Sequence, residues 1–333
     1  MLFIDDFQKI DAHIHFNANR TTIPELAEEY SFDLLTINTE VPEFPAISTQ
    51  QERAIRYSNN SHCTIHHAAT INTENILEDR WADKAILQIK QAIEQGACGI
   101  KFWKNIGMSI QRPDGSFLML DDPELEAVFE FLERQQIPVL GHQGEPKNCW
   151  LPVDDMTVQS DKDYFSAHPQ YHMYQHDEYP GYWRHIEARD NVLSRHPQLQ
   201  FVGLHIASLE WNLEEVEQRL DRFPNMAIDL AERISHLYYH AREDRDHLIR
   251  FFKKYQDRII YGTDIIDDPD TDPSDIVEEL THRWKNHWHF LATDKELSSP
   301  QVDAPFQGLN LPLSILEKVY RGNAMHWYQL SNK

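Results

Sequence analysis

Two histidines one residue apart, His13 and His15, stand near the start of the chain in the run Asp11-Ala12-His13-Ile14-His15. The apolar lead-in through Phe7 and Ile10 reads as a strand. Alternate side chains of a strand point the same way, so Asp11, His13 and His15 are expected on one face and Ala12 and Ile14 on the other. Two neutral imidazoles held side by side can offer two nitrogens to one zinc-like ion at little entropic cost. In a chain with 19 histidines such a pair also arises by chance, so on its own it leaves both readings open. More polar residues of ligand and catalytic type recur at one place, the ends of apolar, strand-like runs: Lys101, His142, His205 and Asp264. Glu145 and Trp150, just past His142, and Arg233, just past Leu230, fall where substrate contacts belong. Asp11 reads as a supporting residue rather than a ligand. His66 and His67 would face opposite ways in a strand, and His168, His172 and His176 lack partners in their loop, so all five read as non-ligands.

The elements that must position these residues alternate in kind. Strand-like runs are expected at 7–15, 32–37, 64–71, 98–103, 137–142, 200–205, 226–230 and 258–264. Helical periodicity falls between them at 24–30, 50–57, 81–95, 123–136, 183–196, 213–223 and 240–255, with further helical stretches near 276–290 and 313–320. Asp122 followed by Pro123 is a helix start, and Gly96 a helix stop. Eight short apolar strands separated by helices predict an eight-fold βα barrel, a (β/α)8 TIM barrel in a single domain over 1–333, with a C-terminal helical extension. Such barrels carry their chemistry at the C-terminal rim of the strands, where the polar residues above lie. Residues 143–182, after the fifth strand, have no sustained period and are far longer than an ordinary connection. Their aromatic content (Trp150, Tyr164, Phe165, Tyr171, Tyr174, Tyr179 and Tyr182) argues for packed order, so this segment is expected to form a long loop covering the site, with a contact between subunits as the competing use.

Composition narrows the function classes. The 333 residues carry 54 acidic against 31 basic side chains, a formal charge of -23, and 41% are apolar. A field of that sign repels nucleic acid and anionic membrane surfaces, which leaves a small-molecule substrate as the expected partner and a homo-oligomer as an open option. Met1 to Asp6 lacks the basic and long apolar segments of an export leader, and no stretch has the length of a membrane helix, so a cytoplasmic protein is expected. Cys63, Cys98 and Cys149 are widely spaced and indicate neither a disulfide framework nor a sulfur metal site.

With DAHIH at 11–15, GIKFW at 99–103, PVLGHQGE at 138–145, FVGLHIASLEW at 201–211, MAIDLA at 226–231, IIYGTD at 259–264 and VYRGNAMHWY at 319–328, the chain resembles the amidohydrolase superfamily end to end. The likeness is closest to the branch that includes aminocarboxymuconate semialdehyde decarboxylase, resorcylate-type decarboxylases and lactonases. The resemblance implies that His13, His15, His142 and Asp264 bind one divalent ion, zinc or else manganese. It implies that Asp264 also takes a proton from water, and that His205 stays off the ion and bonds water or a substrate oxygen. In other branches a lysine at the place of Lys101 is carboxylated and bridges two ions. This chain retains every residue that arrangement needs, but the overall match favours one ion, with Lys101 acting on a substrate carboxylate or a local acid. The implied activity is metal-dependent hydrolysis of a lactone, ester or amide, with non-oxidative decarboxylation of an aromatic or unsaturated acid as the alternative.

Overall fold

Apolar strands separated by amphipathic helices bury both strand faces most simply by pairing in parallel beneath a layer of helices. The computed structural model, which describes residue 4 and residues 6–331, takes that course. Met1, Leu2, Phe3 and Asp5, part of the segment read above for an export leader, lie outside the described residues. The strands are β1 Lys9–Phe16, β2 Phe32–Ile37, β3 Ile65–Thr70, β4 Ile100–Phe102, β5 Val139–Gly141, β6 Phe201–Gly203, β7 Met226–Asp229, β8 Ile259–Ile260 and β9 Ile265–Asp267. Each of the first seven pairs in parallel with the next in sequence. β8 and β9 are two pieces of one run: β8 pairs with β7 while β9 pairs with β1, and this closes the ring. The expected barrel is therefore present.

The helices are α1 Thr22–Glu29, α2 Ile47–Asn60, α3 Trp81–Glu94, α4 Pro123–Gln135, α5 Gln159–Ala167, α6 Tyr182–Arg195, α7 Leu213–Arg222, α8 Ile234–Lys254, α9 Pro273–Ala292, α10 Leu313–Glu317 and α11 Asn323–Trp327. A hairpin, β10 Glu296–Leu297 with β11 Phe306–Gln307, lies between α9 and α10 and was not expected from sequence. Inside the barrel Ile10, Ala12, Leu35, Ile37, Ala68, Leu140, Val202, Ala227 and Ile260 form one cluster, closed by Trp327 and Tyr328. Outside, strand residues such as Ile14, Phe32 and Ile65 pack against the helices in a larger cluster. Among the described residues no helix is long and apolar enough to cross a membrane.

Four departures from the expected elements bear on the site. The register of β1 against β2 shifts between Asp11 and Ile14, and a bulge of this kind inverts the in-out order beyond it. Ile10 and Ala12 accordingly belong to the inner cluster while Ile14 and Phe16 belong to the outer one. Asp11 therefore does not share a face with His13 and His15; its carboxylate meets Trp284 of α9. The strand expected to reach His205 stops at Gly203, and the one expected at 258–264 is interrupted after Ile260. α8 begins at Ile234, ahead of the expected His240, with a break at Asp244.

The long segment after β5 is ordered but not structureless. It holds α5 and several short 3-10 turns around its own core of Cys149, Met156, Phe165 and Met173, with Met108 beneath. The thiol of Cys149 donates to Tyr171 O at 2.9 Å, tying two parts of the segment together. Cys63 and Cys149 are buried and all three cysteines are free.

Candidate metal centre

Beyond the β1 bulge, His13 and His15 both face inward, and each has its Nδ1 already committed. His13 Nδ1 donates to Asp229 Oδ2 at 2.7 Å and His15 Nδ1 donates to the carbonyl of Ile37 at 2.7 Å. A carbonyl or carboxylate partner fixes the proton on Nδ1, so in the neutral rings each Nε2 presents its lone pair to the rim. Both Nε2 atoms converge on Asp264: Oδ1 lies 3.1 Å from that of His13 and 3.2 Å from that of His15. Asp264 is set there by its own backbone, since its N–H donates to His13 O at 2.8 Å and its φ is +62°. Gly262 leaves room for this crossing, because a Cβ there would lie 2.7 Å from His13 Cβ.

His205 arrives by an unusual route. His205, Ile206, Ala207 and Ser208 all have φ between +55° and +58°, a left-handed turn in four non-glycine residues. Such a turn costs roughly 1–2 kcal/mol per residue, so several hydrogen bonds must offset it. The N–H of His205 donates to Asp229 Oδ1 at 2.5 Å and Arg189 Nη1 donates to Ala207 O at 2.6 Å. Tyr182 OH donates to Ser208 O and Ser208 Oγ donates to Gln143 O at 2.9 Å. Its Nδ1 donates to Ala231 O at 2.9 Å, so its Nε2 is also open. The ring packs against His13 at 5.0 Å and edge-on against His142 at 4.3 Å.

Charge divides these groups sharply. Burial would raise the Asp264 carboxyl, but the imidazoles of His13 and His205 hold it well below the usual carboxylate range. For His13 burial acts downward, yet the carboxylates of Asp264 and Asp229 lift it to about 9. Burial lowers His15 to about 4 and His205 to about 3, and with its cationic neighbours it takes His142 well below its ordinary value. Lys101, on β4, is pushed down to about 8 by burial against the pull of Asp264 and Asp229.

The residues fit a divalent ion. The ligand atoms of His13, His15 and Asp264 lie within 4.8 Å of one another, as do those of His13, His205 and Asp229. Ligands about 2.1 Å from one ion in a tetrahedral site stand roughly 3.4 Å apart, close to the 3.1 and 3.2 Å separations found here. The buried Nε2 of His13 lies 3.1 Å from Asp264 Oδ1 without the alignment of a hydrogen bond. His142 is not in either three-residue group and sits beside His205 instead.

Lys101 is buried and makes no ion pair among the described residues. Glu145 pairs with Lys104 across the β4 and β5 rims, so its carboxylate is already engaged. Trp150 packs near His185 and Arg233 lies beyond β7; the indole Nε1 of the first and the Nε of the second are buried without a hydrogen-bond partner. Arg233, Lys101 and Lys104 all act on His142 as nearby cations. His66, His67, His168, His172 and His176 stand outside both candidate groups. Asp229 is the residue the sequence reading left out. It ends β7 on the same rim as His142 and Asp264, and that position was the available signal.

A family model described as amidohydrolase matches residues 10–330. The chain belongs to the amidohydrolase family. Members of the family typically bind a divalent metal, and the groups just described could hold one. Among solved structures, the chain is similar to 2,6-dihydroxybenzoate decarboxylase from Rhizobium, with a TM-score of 0.53 and 14% identity over 97% of this chain and 99% of that one. It is also similar to dihydroorotase from Campylobacter jejuni, with a TM-score of 0.54 and 14% identity over 100% and 88% of the two chains. A putative amidohydrolase from Staphylococcus aureus gives a TM-score of 0.54 and 12% identity over 97% and 100%. At such identities the likeness is one of fold. Comparison with proteins of curated function gives no match.

Proposed function

We propose that this amidohydrolase-family chain is a metal-dependent hydrolase of a small carboxylated molecule, a lactone, ester or amide, with His13, His15, His142 and Asp264 as ligands of one zinc or manganese ion. The observation that carries the reading is the Asp264 carboxylate held between the Nε2 atoms of His13 and His15. When bound, the ion would supply Lewis acidity toward water and a carbonyl oxygen. Asp264, ionised and partly open to the rim, is the group to receive a proton as water attacks. His205, neutral with its Nε2 unengaged, would bond the water or the carbonyl oxygen and hold either in line. Lys101 and Arg233, which form no ion pair among the described residues, supply charge for a substrate carboxylate, and Trp150 offers a buried N–H. Glu145 would act by holding Lys104 at the rim.

The same cations support a second reading, non-oxidative decarboxylation. Two cations near His142 that form no ion pair among the described residues suit a carboxylate that is itself the reacting group as well as one that only anchors the substrate. A panel of lactones and hydroxybenzoates, followed for acid release against CO2 release, separates the two. Acid release without CO2 supports hydrolysis, and CO2 release alone replaces it with decarboxylation.

A further inference from the structure

We infer that Arg283 and Trp284, neighbours on α9, are positioning residues that fix the backbone of Asp264 in its ligating conformation. The inference rests on the metal reading of Asp264 above. An aspartate at φ +62° is unfavourable unless its surroundings determine it, and the residue before it shows how that is done. Thr263 is wholly buried and gripped from both sides of its backbone. Its N–H and hydroxyl donate to Asp11 Oδ1 and Oδ2 at 3.0 and 2.7 Å, while its carbonyl accepts from Arg283 Nη1 at 2.9 Å.

Both grips lead to α9. Trp284 Nε1 donates to Asp11 Oδ2 at 2.9 Å, and its ring stacks on Phe32 at 4.2 Å with the planes 12° apart, so the carboxylate that holds Thr263 is itself held by a locked indole. Successive residues of a helix point about 100° apart, which lets one turn of α9 reach Thr263 from two directions. Arg283 does a second task with the same guanidinium. It bonds Glu232 Oε2 at 2.5 Å and Glu279 Oε1 at 3.0 Å. Glu232 is also left-handed, at φ +56°, and stands between Ala231, whose carbonyl fixes the His205 tautomer, and Arg233. Its Nη1 alone bonds both Glu232 Oε2 and the Thr263 carbonyl, so one nitrogen of the guanidinium ties together the strained stretches that follow β7 and β8.

The test uses the full chain carrying Arg283→Met or Trp284→Phe, titrated with cobalt(II) after metal removal. Either variant is expected to bind cobalt about tenfold to a hundredfold more weakly, with a changed visible absorption of the bound ion, while the unfolding midpoint of the metal-free protein stays near the wild type. A lowered midpoint with unchanged affinity and spectrum would make both residues merely structural and overturn the inference. Crystals of the metal-free Arg283→Met protein give a readout that needs no ion: Asp264 is expected to leave its left-handed conformation, and its retention there overturns the inference. A wild-type chain that binds no cobalt would sink the metal reading instead, with the crystal result still deciding the positioning role; Trp284→Phe takes the place of Arg283→Met in both measurements if the latter does not fold.

Discussion

Asp229→Asn isolates the least obvious part of the site. Asp229 is wholly buried and accepts two hydrogen bonds, from His13 Nδ1 at 2.7 Å and from the N–H of His205 at 2.5 Å. Asparagine offers one acceptor and one donor group in the same space. The backbone N–H of His205 cannot turn, so the amide oxygen must stay on it, and the amide NH2 then faces His13 Nδ1. Two donors cannot meet, so the neutral ring must carry its proton on Nε2, the atom that faces Asp264. Binding an ion through Nε2 would then require the other tautomer and leave a buried donor unsatisfied, at roughly 1–3 kcal/mol. That cost corresponds to a metal affinity lowered about tenfold to a hundredfold, the usual scale for a residue that orients a ligating histidine. Competition against a chromogenic chelator near neutral pH measures it, with circular dichroism as the check that the fold is retained. A folded Asp229→Asn protein with wild-type affinity would refute the tautomer argument.

Asp264→Asn should lose turnover by several orders of magnitude on whichever substrate the panel identifies, because the amide cannot take a proton, and His205→Ala should lose turnover while keeping its ion; loss of an ion from His205→Ala, seen by elemental analysis, would make His205 a ligand. In metal-free protein His13 is raised to about 9, so the bound proton is favoured below that pH and must leave when an ion arrives. Metal affinity should therefore rise about tenfold per pH unit from neutrality toward pH 9 and level off above it, and a flat profile by chelator competition would contradict the charge assignment. Replacing residues 171–182 with a short Gly/Ser linker should leave metal content and oligomeric state unchanged while substrate affinity collapses. A monomerised, fully active variant would show that the cover serves a subunit contact.

Much of this was legible in the chain because barrel strands leave a plain signal. Val139, Leu140, Phe201, Val202, Ile259 and Ile260 are buried on both faces and read as continuous apolar runs, and the amphipathic pattern of Ala85, Ile89 and Ala92 marks α3. The polar residue ending each run then locates the rim. What stayed hidden depends on backbone detail that side-chain type does not encode. The alternation around Asp11 was inverted by one bulged residue, and nothing in Asp11-Ala12-His13 announces it. The left-handed turn at His205 contains Ile206 and Ala207, residues that would ordinarily continue the strand; the bonds that impose it come from Asp229, Arg189 and Tyr182, all distant in sequence. α5 was concealed because only Asp161 and Phe165 of its nine residues are buried, too few to set a period. Asp229 was passed over because it holds other residues in place and is not itself among the expected ligands.

The metal content of protein purified without added metal, measured by elemental analysis beside the intact mass, tests the central claim most directly. The convergence of His13, His15 and Asp264, with His142 as the proposed fourth ligand, predicts one divalent ion per chain, zinc or manganese, lost when His13 and His15 are both replaced by alanine. Protein that holds no ion, or holds two together with the added mass of a carboxylate on Lys101, would contradict it.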